Sequence, residues 1–542
     1  MQVQGNIIAI ENREIFSGII HVSDGKISAI ERLGEAVDGA PFLLPGFVDA
    51  HVHVESSMLV PSEFARMAVV HGTVATVSDP HEIANVLGME GVRYMIDNGK
   101  QVPFKFYFGA PSCVPATTFE TAGATLSADE VESLLQLPEI VYLSEMMNYP
   151  GVLHGDPEVM AKIAAAKKLG KPIDGHAPGL RGDDARRYIA AGISTDHECF
   201  TYEEGLEKLQ LGMKVIIREG SAAKNFEALI ALLPQFPDRI FFCSDDKHPD
   251  DLIAGHINAL VARALAKGCD LFDTLRVACI NPVQHYGLKV GQLQVGDPAD
   301  FIEVEDLKSF QVRSTYIDGE QVAIQGKTLI PHLEAAIINH FQTSKKEPEA
   351  FQLKAETSRI RYIEALNGEI VTRSGFADAK QEAGLAIAAP EHDLLKITVV
   401  NRYQDAAPAV AFIRGFGLRK GAIASCVGHD SHNIIAVGTD DKTLCEAVNA
   451  IIEHKGGISA TDGEQMHVLP LPVAGIMTNA DGYEVARQYA KIDGWVKSEL
   501  GCQLSAPFMT LSFMALLVIP ELKLSDKGLF DGSSFAFAEL FV

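Results

Sequence analysis

Short apolar segments alternate with amphipathic, helix-like segments through the central part of the chain. Eight apolar segments between residues 42 and 246 each end in polar residues. Such segments are typical of buried strands, and stretches between them, such as 156–170, have helical spacing. Eight strand–helix units are the number found in a (β/α)₈ barrel of the TIM type. The predicted strands are 42–53, 72–82, 104–111, 140–145, 172–178, 193–198, 214–221 and 239–246.

Both flanks of this central block have a strand-like alternation of apolar and polar residues. Turn residues such as Ser23-Asp24-Gly25 interrupt the first forty residues, and a similar pattern returns over 291–326. Two such flanks predict one small β-sandwich domain built from both ends of the block. Beyond the polar segment 342–348 the chain has mixed α/β character. The predicted fold is therefore α/β, with a small β domain (1–44 and 286–345), a barrel (45–285) and a C-terminal α/β domain (346–542).

Composition and charge narrow the classes of partner. The 542 residues include 46 Lys and Arg against 71 Asp and Glu, a net charge of −25. This balance disfavours a nucleic-acid partner and an anionic membrane surface. The eight cysteines include no C-x-x-C pair, which excludes a zinc ribbon and the zinc deaminases that act on nucleic acid. With neither a signal peptide nor a membrane-spanning run visible, the sequence predicts a cytoplasmic protein with a small-molecule substrate.

Residues of the kinds that bind metal ions fall at the ends of the predicted strands. His51 and His53 are two residues apart on a strand, so both imidazoles point to the same face. For any single histidine, a solvated or core position is the better interpretation. A barrel gathers its strand ends at one mouth, so six such residues on five strands favour a metal site. The six are His51, His53, Glu145, His176, His197 and Asp245.

These residues lie in motifs that resemble the amidohydrolase superfamily of metal-dependent hydrolases. The H-x-H after the first strand, with later His, His and Asp at strand ends, is a superfamily pattern. Further stretches resemble the bacterial adenine deaminase family, and the resemblance covers nearly the whole chain. These stretches are PGFVDAHVHVESSM (45–58), VSDPHEIANVLG (77–88), LSEMMNYPGVL (143–153), DGHAPGL (174–180), TDHE (195–198), IREGSAAKN (217–225), CSDDKHPDDL (243–252) and VGHDSHNIIAVG (427–438).

The resemblance implies a site with two divalent metal ions. His51 and His53 would hold one ion, and His176 and His197 the other. Glu145 stands where many relatives have a bridging carbamylated lysine, and a carboxylate can also bridge two metals. The family metal is Mn²⁺ or Fe²⁺, and mixed imidazole and carboxylate ligands also permit Zn²⁺. A homo-oligomer, expected to be a dimer, is the predicted assembly.

The implied reaction is the hydrolysis of adenine to hypoxanthine and ammonia, a step of purine salvage. A metal-bridged hydroxide would attack C6 of adenine, and Asp245 would bind a metal and carry a proton to the departing amine. Glu82 is the candidate proton donor to the purine ring, which requires burial to raise its pKa. Capping of a helix or pairing with a cation is an equally reasonable role for Glu82. His81 would either bind substrate or support a neighbour.

Five further residues are candidate substrate contacts. His429 and His432 surround Asp430 in a polar segment of the C-terminal domain, which would be a lid over the barrel mouth, a separate metal site or a simple turn. Asn148 and Ser221 follow predicted strands and are expected to line the pocket. By strict alternation, Glu198 and Asp246 should face away from the site.

Three alternatives remain open at this stage. A cyclic amidohydrolase, of the dihydroorotase or hydantoinase kind, shares the barrel and the H-x-H but uses a bridging lysine. A deaminase of adenosine or another aminopurine would have the same metal site. A metal-binding barrel protein without turnover is the non-enzymatic alternative, although the filled set of six ligand positions argues against it.

Overall fold

The computed structural model describes residues 1–542 and has a parallel eight-stranded barrel at its centre. Five neighbouring strands form one sheet and three form a second. All eight predicted barrel strands are present, although the first begins at Phe47, because Phe42–Pro45 pairs with the small β domain instead. In chain order the barrel strands are β1 (Phe47–Val52), β2 (Thr73–Ser78), β3 (Lys105–Ala110), β4 (Ile140–Met146), β5 (Ile173–Gly175), β6 (Thr195–Asp196), β7 (Lys214–Arg218) and β8 (Ile240–Cys243).

Backbone hydrogen bonds join the two sheets on both sides. The Ser194 amide donates to the Ile173 carbonyl at 2.8 Å, between β5 and β6. At the other seam the Asp245 amide donates to the His51 carbonyl at 3.0 Å, and the His53 amide donates to the Asp245 carbonyl at 3.3 Å. The second seam therefore brings the H-x-H motif and Asp245 together at the carboxyl ends of β1 and β8.

Amphipathic helices cover the outside of the barrel. Several begin at a side-chain cap; the Asp156 carboxylate, for example, accepts hydrogen bonds from the Glu158 and Val159 amides. The helices that follow the strands are Pro61–Ala68, His81–Leu87, Met89–Gly99, Ala128–Leu135, Tyr149–His154, Pro157–Lys168, Gly182–Ala190, Tyr202–Gln210, Phe226–Leu229, Pro249–Ala254, Ile257–Ala266, Leu271–Leu275 and Asn281–Tyr286.

Strands from both flanks of the barrel form one continuous eight-stranded sheet. The sheet has an apolar core of its own, to which residues of both flanks contribute, among them Ile20, Ile27, Phe301 and Tyr316. The parallel pairing of Gln2–Ala9 with Phe42–Pro45 leads the chain directly into β1. In spatial order the strands are Lys327–Thr328, Glu320–Ile324, Val312–Ile317, Phe301–Val304, Phe42–Pro45, Gln2–Ala9, Glu14–Ser23 and Lys26–Glu35.

The C-terminal part of the chain has a second eight-stranded sheet with helices packed against it. In spatial order its strands are Thr372–Asp378, Arg359–Ala365, Ala409–Arg414, Leu395–Val400, Ile434–Gly438, Ala422–Ser425, Gly457–Thr461 and Met466–Pro470. The helices are Asp441–His454, Gly482–Ser498 and Pro507–Phe513. Two small sheets complete it: Leu353–Lys354, Lys380–Glu382 and Leu385–Ile387 form one, and Leu522–Ser525, Gly528–Asp531 and Ala536–Phe537 form the other. None of the helices in the structure has the length and apolar character needed to cross a bilayer.

A buried hydrogen-bond chain strengthens the seam between β1 and β8. The His256 Nε2–H donates to the Asp49 carboxylate at 2.9 Å, and the Ser244 amide donates to the same carboxylate at 2.9 Å. The Thr73 hydroxyl donates to His256 Nδ1 at 2.6 Å. Asp49 and His256 are almost completely buried, so neither can exchange its partner for water.

Replacing His256 with Leu should destabilise the protein because it leaves the Asp49 carboxylate buried with one partner fewer. The expected loss in the free energy of unfolding is about 1–3 kcal/mol, measured by urea unfolding of metal-free protein. His154→Leu is the matched control, since His154 is exposed. Equal stability of the two variants would contradict this account of the seam.

Candidate metal centre

Imidazoles and carboxylates from five barrel strands converge at the mouth of the barrel. His51 and His53 end β1, and their Nε2 atoms are 3.2 Å apart. His53 Nε2 is 3.3 Å from Glu145 Oε1 and 3.4 Å from Asp245 Oδ1. His51 Nε2 is also 3.4 Å from Asp245 Oδ1. Four donor groups that are far apart in sequence thus face a single point.

Glu145 connects this group to the other two histidines. Its second oxygen, Oε2, accepts a hydrogen bond from His176 Nδ1 at 2.6 Å and is 3.1 Å from His197 Nε2. Burial raises the pKa of Glu145, but the His176 and His197 imidazoles outweigh it and hold that pKa well below its usual value. The Glu145 carboxylate is therefore an anion with one oxygen toward each pair of imidazoles.

Arg218, at the end of β7, orients the Asp245 carboxylate. The guanidinium donates to Asp245 Oδ2 at 2.7 Å, and it also forms a two-pronged pair with Glu198. Asp245 Oδ1 is left facing the histidines of β1. Burial opposes the charge on Asp245, yet Arg218 and His197 keep its pKa well below the ordinary value.

The donor set fits divalent metal ions. The imidazole atoms that face the site are His51 Nε2, His53 Nε2, His176 Nδ1 and His197 Nε2. Several sets of three or four imidazole and carboxylate atoms each lie within 4.8 Å of one another. Convergent imidazole and carboxylate donors of this kind suit Mn²⁺, Fe²⁺ or Zn²⁺. The structure brings together all six residues that the sequence pattern selects.

A loop of the C-terminal domain reaches over the barrel mouth and meets Glu82. His432 Nε2 is 2.5 Å from Glu82 Oε2, and His429 Nδ1 contacts the other oxygen of that carboxylate. His429 Nε2 is 3.6 Å from Asp246 Oδ1. All four residues are buried or nearly so. The placement fits the predicted lid over the barrel mouth rather than a separate metal site or a simple turn.

The raised pKa that a proton-donor role for Glu82 requires is not found, and the alternative role, pairing with a cation, fits its surroundings. Burial acts in that direction, but the imidazoles of His429, His81 and His432 outweigh it and hold the pKa well below its ordinary value. For His429, burial lowers the pKa, and the charges of Glu82 and Asp246 more than compensate, raising it to about 9. The proton of this pair is therefore held on His429.

His81 lies between Glu82 and the candidate metal ligands. Its Nε2 is 3.4 Å from Glu82 Oε1 and 3.6 Å from Asp430 Oδ1, while its Nδ1 is 3.6 Å from Glu145 Oε1. Asp430 Oδ2 is buried without a hydrogen-bond partner. Both side chains line the same cavity as His53, Glu145, His176, His197 and Asp245.

Two predicted substrate contacts do not reach this cavity. The Asn148 side chain accepts a hydrogen bond from the Gly151 amide at 2.9 Å and caps the helix Tyr149–His154. The Ser221 hydroxyl donates to the Asp251 carboxylate at 2.5 Å and accepts from the His248 amide. Local backbone amides and carboxylates hold these side chains, so the structure does not support their expected contact with substrate.

The expectation that Glu198 and Asp246 face away from the site is wrong, because both side chains line the cavity. β6 is only two residues long, so strand alternation has ended before Glu198. Asp245 has a left-handed backbone with φ of 52°, which breaks the alternation before Asp246. Glu198 Oε1 is 3.4 Å from His197 Nε2 as a result.

Three apolar side chains of the C-terminal domain form the roof of the cavity. They are Ile370, Phe513 and Leu516. We call them the apolar roof. The pattern analysis did not select them, because apolar residues in an apolar run are indistinguishable from core residues in one sequence. Only their placement in one cavity with the charged side chains reveals the difference.

The barrel and its convergent donors define a metal-dependent hydrolase of the amidohydrolase class. Residues 42–322 match the model of the amidohydrolase family, and residues 369–536 match that of the adenine deaminase C-terminal domain. The chain therefore belongs to the adenine deaminase family of amidohydrolases. A protein of Sulfurovum sp. named adenine deaminase is 61% identical over 99% of both chains.

Two further relatives are also named adenine deaminase. The protein of Salinibacter ruber is 56% identical over 100% of this chain and 99% of its own. That of Methanosarcina acetivorans is 54% identical over 99% of both. The similarity thus extends through the barrel, both flanking segments and the C-terminal domain.

Replacing Glu145 with Gln is expected to weaken metal binding more than tenfold, because the neutral amide removes the anion shared by both imidazole pairs. Equilibrium dialysis against Mn²⁺, with the bound metal counted by mass spectrometry, measures the effect. Glu130→Gln is the control, since Glu130 lies on a surface helix. Unchanged affinity in the Glu145 variant would contradict its place in the centre.

Proposed function

We propose that this chain catalyses the hydrolytic deamination of adenine to hypoxanthine and ammonia. The observation that carries the proposal is the contact of His429 and His432 with Glu82 beside the six candidate metal ligands. A domain that matches the adenine deaminase C-terminal model thereby completes the barrel site. The names of the full-length relatives agree with this substrate.

The proposed cofactor is a pair of divalent ions, Mn²⁺ or Fe²⁺, with Zn²⁺ also compatible. His51 and His53 would hold one ion and His176 and His197 the other, with Glu145 between them and Asp245 beside His51 and His53. When bound, such ions lower the pKa of water and provide a nucleophile near neutral pH.

Asp245 is positioned to move the proton that the reaction transfers. Its Oδ1 faces the metal ligands, while Arg218 holds Oδ2 and keeps the group ionised. Once hydroxide has formed the C6–O bond, Asp245 accepts the proton that remains on this oxygen. It delivers that proton to the amine as the C6–N bond breaks and the C6 carbonyl forms, so that ammonia leaves. The other proton of the water replaces the one that Glu82 and His429 give to the ring. Arg218 orients the carboxylate for both steps.

Glu82 and His429 supply the second proton. Attack at C6 places negative charge on the ring nitrogens, and a proton at N1 neutralises it. His429 holds the proton and Glu82 contacts it directly, so Glu82 relays the proton to the ring instead of storing it. His81 and Asp430, on the other side of Glu82, are placed to bind the purine edge.

The remaining expectations about the molecule stay predictions. We propose a cytoplasmic enzyme of purine salvage that assembles as a homodimer. We also propose the division into a small β domain (1–44 and 286–345), a barrel (45–285) and a C-terminal domain (346–542). The boundary at residue 345 follows the last strand of the first sheet, Lys327–Thr328.

Steady-state assays of adenine, adenosine and a hydantoin, with protein loaded with Mn²⁺, Fe²⁺ or Zn²⁺, test the proposed reaction. We expect release of ammonia and hypoxanthine from adenine, and no ring opening of the hydantoin. Turnover of the hydantoin alone would favour a cyclic amidohydrolase. Bound metal without turnover of any substrate would favour a non-enzymatic role.

Substituting His429 and His432 with Ala tests the proton relay. We expect each substitution to lower kcat about 10²–10⁴-fold, the usual contribution of a positioned proton-transfer group. The number of bound metal ions should not change, because neither residue is a proposed ligand. His392→Ala, an exposed histidine of the same domain, is the control. Normal kcat in both variants would refute the relay.

A further inference from the structure

The cavity beside the candidate metal ligands, here called the inner cavity, is closed in this structure. Its volume is about 20 Å³, which is room for about one water molecule. The apolar roof is part of its lining, and the side chains of the roof are at most 6% exposed. A bicyclic base cannot enter this space unless part of the wall moves. The proposed reaction therefore requires an entry route.

A larger cavity lies next to the inner one, between the barrel and the C-terminal domain. We call it the outer cavity. Its volume of about 470 Å³ falls within the range of roughly 300–1,000 Å³ that small-molecule sites occupy. Lys224 of the barrel and Asn367 of the C-terminal domain belong to its lining and are exposed, so the outer cavity opens to solvent.

The two cavities share their walls. Glu369 lines the outer cavity, and the next residue, Ile370, lines the inner one. On the barrel side Asp246 lines the inner cavity, and His248, two residues later, lines the outer one. Because neighbouring residues of one segment face different cavities, the wall at these places is a single segment of chain thick.

A tight turn over residues 366–369 forms the C-terminal domain's part of this wall. The Glu369 amide donates to the Leu366 carbonyl at 3.2 Å, and Gly368 has a left-handed φ of 81°, which favours glycine at the third position of such a turn. The Ala223 amide of the barrel donates to the Gly368 carbonyl at 2.8 Å. A Cβ at Gly368 would meet no atom within 4 Å. The tip of the turn is therefore unpacked, and segments with few packing contacts open at low cost in free energy.

The lining of the outer cavity suits an uncharged polar ligand. The Lys497 ammonium donates to the Asp493 carboxylate at 2.5 Å, so these two charges compensate each other. Asn367 Oδ1 accepts hydrogen bonds from the amide and the hydroxyl of Ser505, both at 2.8 Å, which leaves the Asn367 amide nitrogen to donate to a ligand. A purine base offers ring nitrogens that accept hydrogen bonds and N–H groups that donate them, so it matches such a lining.

We propose that the outer cavity is the entry site, where the purine base binds before the turn 366–369 and the Ile370 side chain move aside and admit it to the inner cavity. This inference rests on the proposed function. The outer cavity is open and large enough for a base, the inner cavity is neither, and one segment of chain separates them. Movement of a loop between an open and a closed position is a common way to admit substrate and then exclude water.

The test places one reactive thiol in the outer cavity of the metal-loaded, full-length enzyme and attaches a bulky maleimide to it. Lys497→Cys is the test variant, since Lys497 lines the outer cavity from the helix Gly482–Ser498. Lys491→Cys is the matched control, because Lys491 is exposed on the same helix and lies outside the cavity. The natural cysteines are buried or half-buried, so the introduced thiol reacts first. We expect labelling to lower kcat/KM for adenine at least tenfold in Lys497→Cys, with bound metal unchanged, and to have no effect in Lys491→Cys.

The size of the label separates obstruction from a general disturbance of the fold. A methyl disulfide at the Lys497→Cys thiol should lower kcat/KM less than the maleimide does, because a small label leaves most of the route open. Lys224→Cys, which lines the outer cavity from the barrel, takes the place of Lys497→Cys if that variant does not fold.

Protection by hypoxanthine is a binding measurement that does not depend on turnover. We expect hypoxanthine to slow the labelling of Lys497→Cys and not that of Lys491→Cys. Unchanged kcat/KM after complete labelling of the cavity thiol, or equal labelling rates with and without hypoxanthine, would overturn the inference. Failure of the unmodified, unlabelled enzyme to deaminate adenine is a separate result that would overturn the proposed function.

Discussion

Glu145 is the carboxylate on which the architecture of the site depends. It is buried, and its two oxygens face imidazoles from β1 on one side and from β5 and β6 on the other. An anion in such a position is tolerated only if cations or strong hydrogen-bond donors surround it. The barrel meets this requirement by closing β1 against β8, which brings His51, His53 and Asp245 to the same point. The backbone contacts that close the barrel are thus made by residues of the candidate metal centre itself.

The C-terminal domain surrounds a second buried carboxylate, that of Glu82, with imidazoles. Glu82 ionises despite its burial because His429 and His432 arrive from another domain. Phe513, stacked on His429, joins that charged loop to the apolar roof. Neither domain alone therefore has a complete site. The barrel contributes the candidate metal ligands, and the C-terminal domain contributes partners for Glu82 and apolar side chains that line the cavity.

Most of the barrel could be predicted from the sequence because its strands are short apolar runs with polar ends. The six candidate ligands followed from the same rule, since parallel strands bring their carboxyl ends together. The direction of side chains could not be predicted where regular strands end. The left-handed backbone at Asp245 turns Asp246 toward the cavity, and the end of the short β6 does the same for Glu198. The apolar roof could not be predicted, because it depends on contacts between segments more than a hundred residues apart. The pKa of Glu82 depended likewise on histidines over three hundred residues away.

The most direct test of the account is a crystal structure of the Mn²⁺-loaded protein with hypoxanthine, recorded with anomalous scattering. The account predicts two anomalous peaks on either side of the Glu145 carboxylate, bound by the four histidines of β1, β5 and β6. It also predicts that the purine lies beneath Phe513, within hydrogen-bond distance of Glu82. Metal peaks away from these side chains, or hypoxanthine bound outside the cavity between the barrel and the C-terminal domain, would contradict the account.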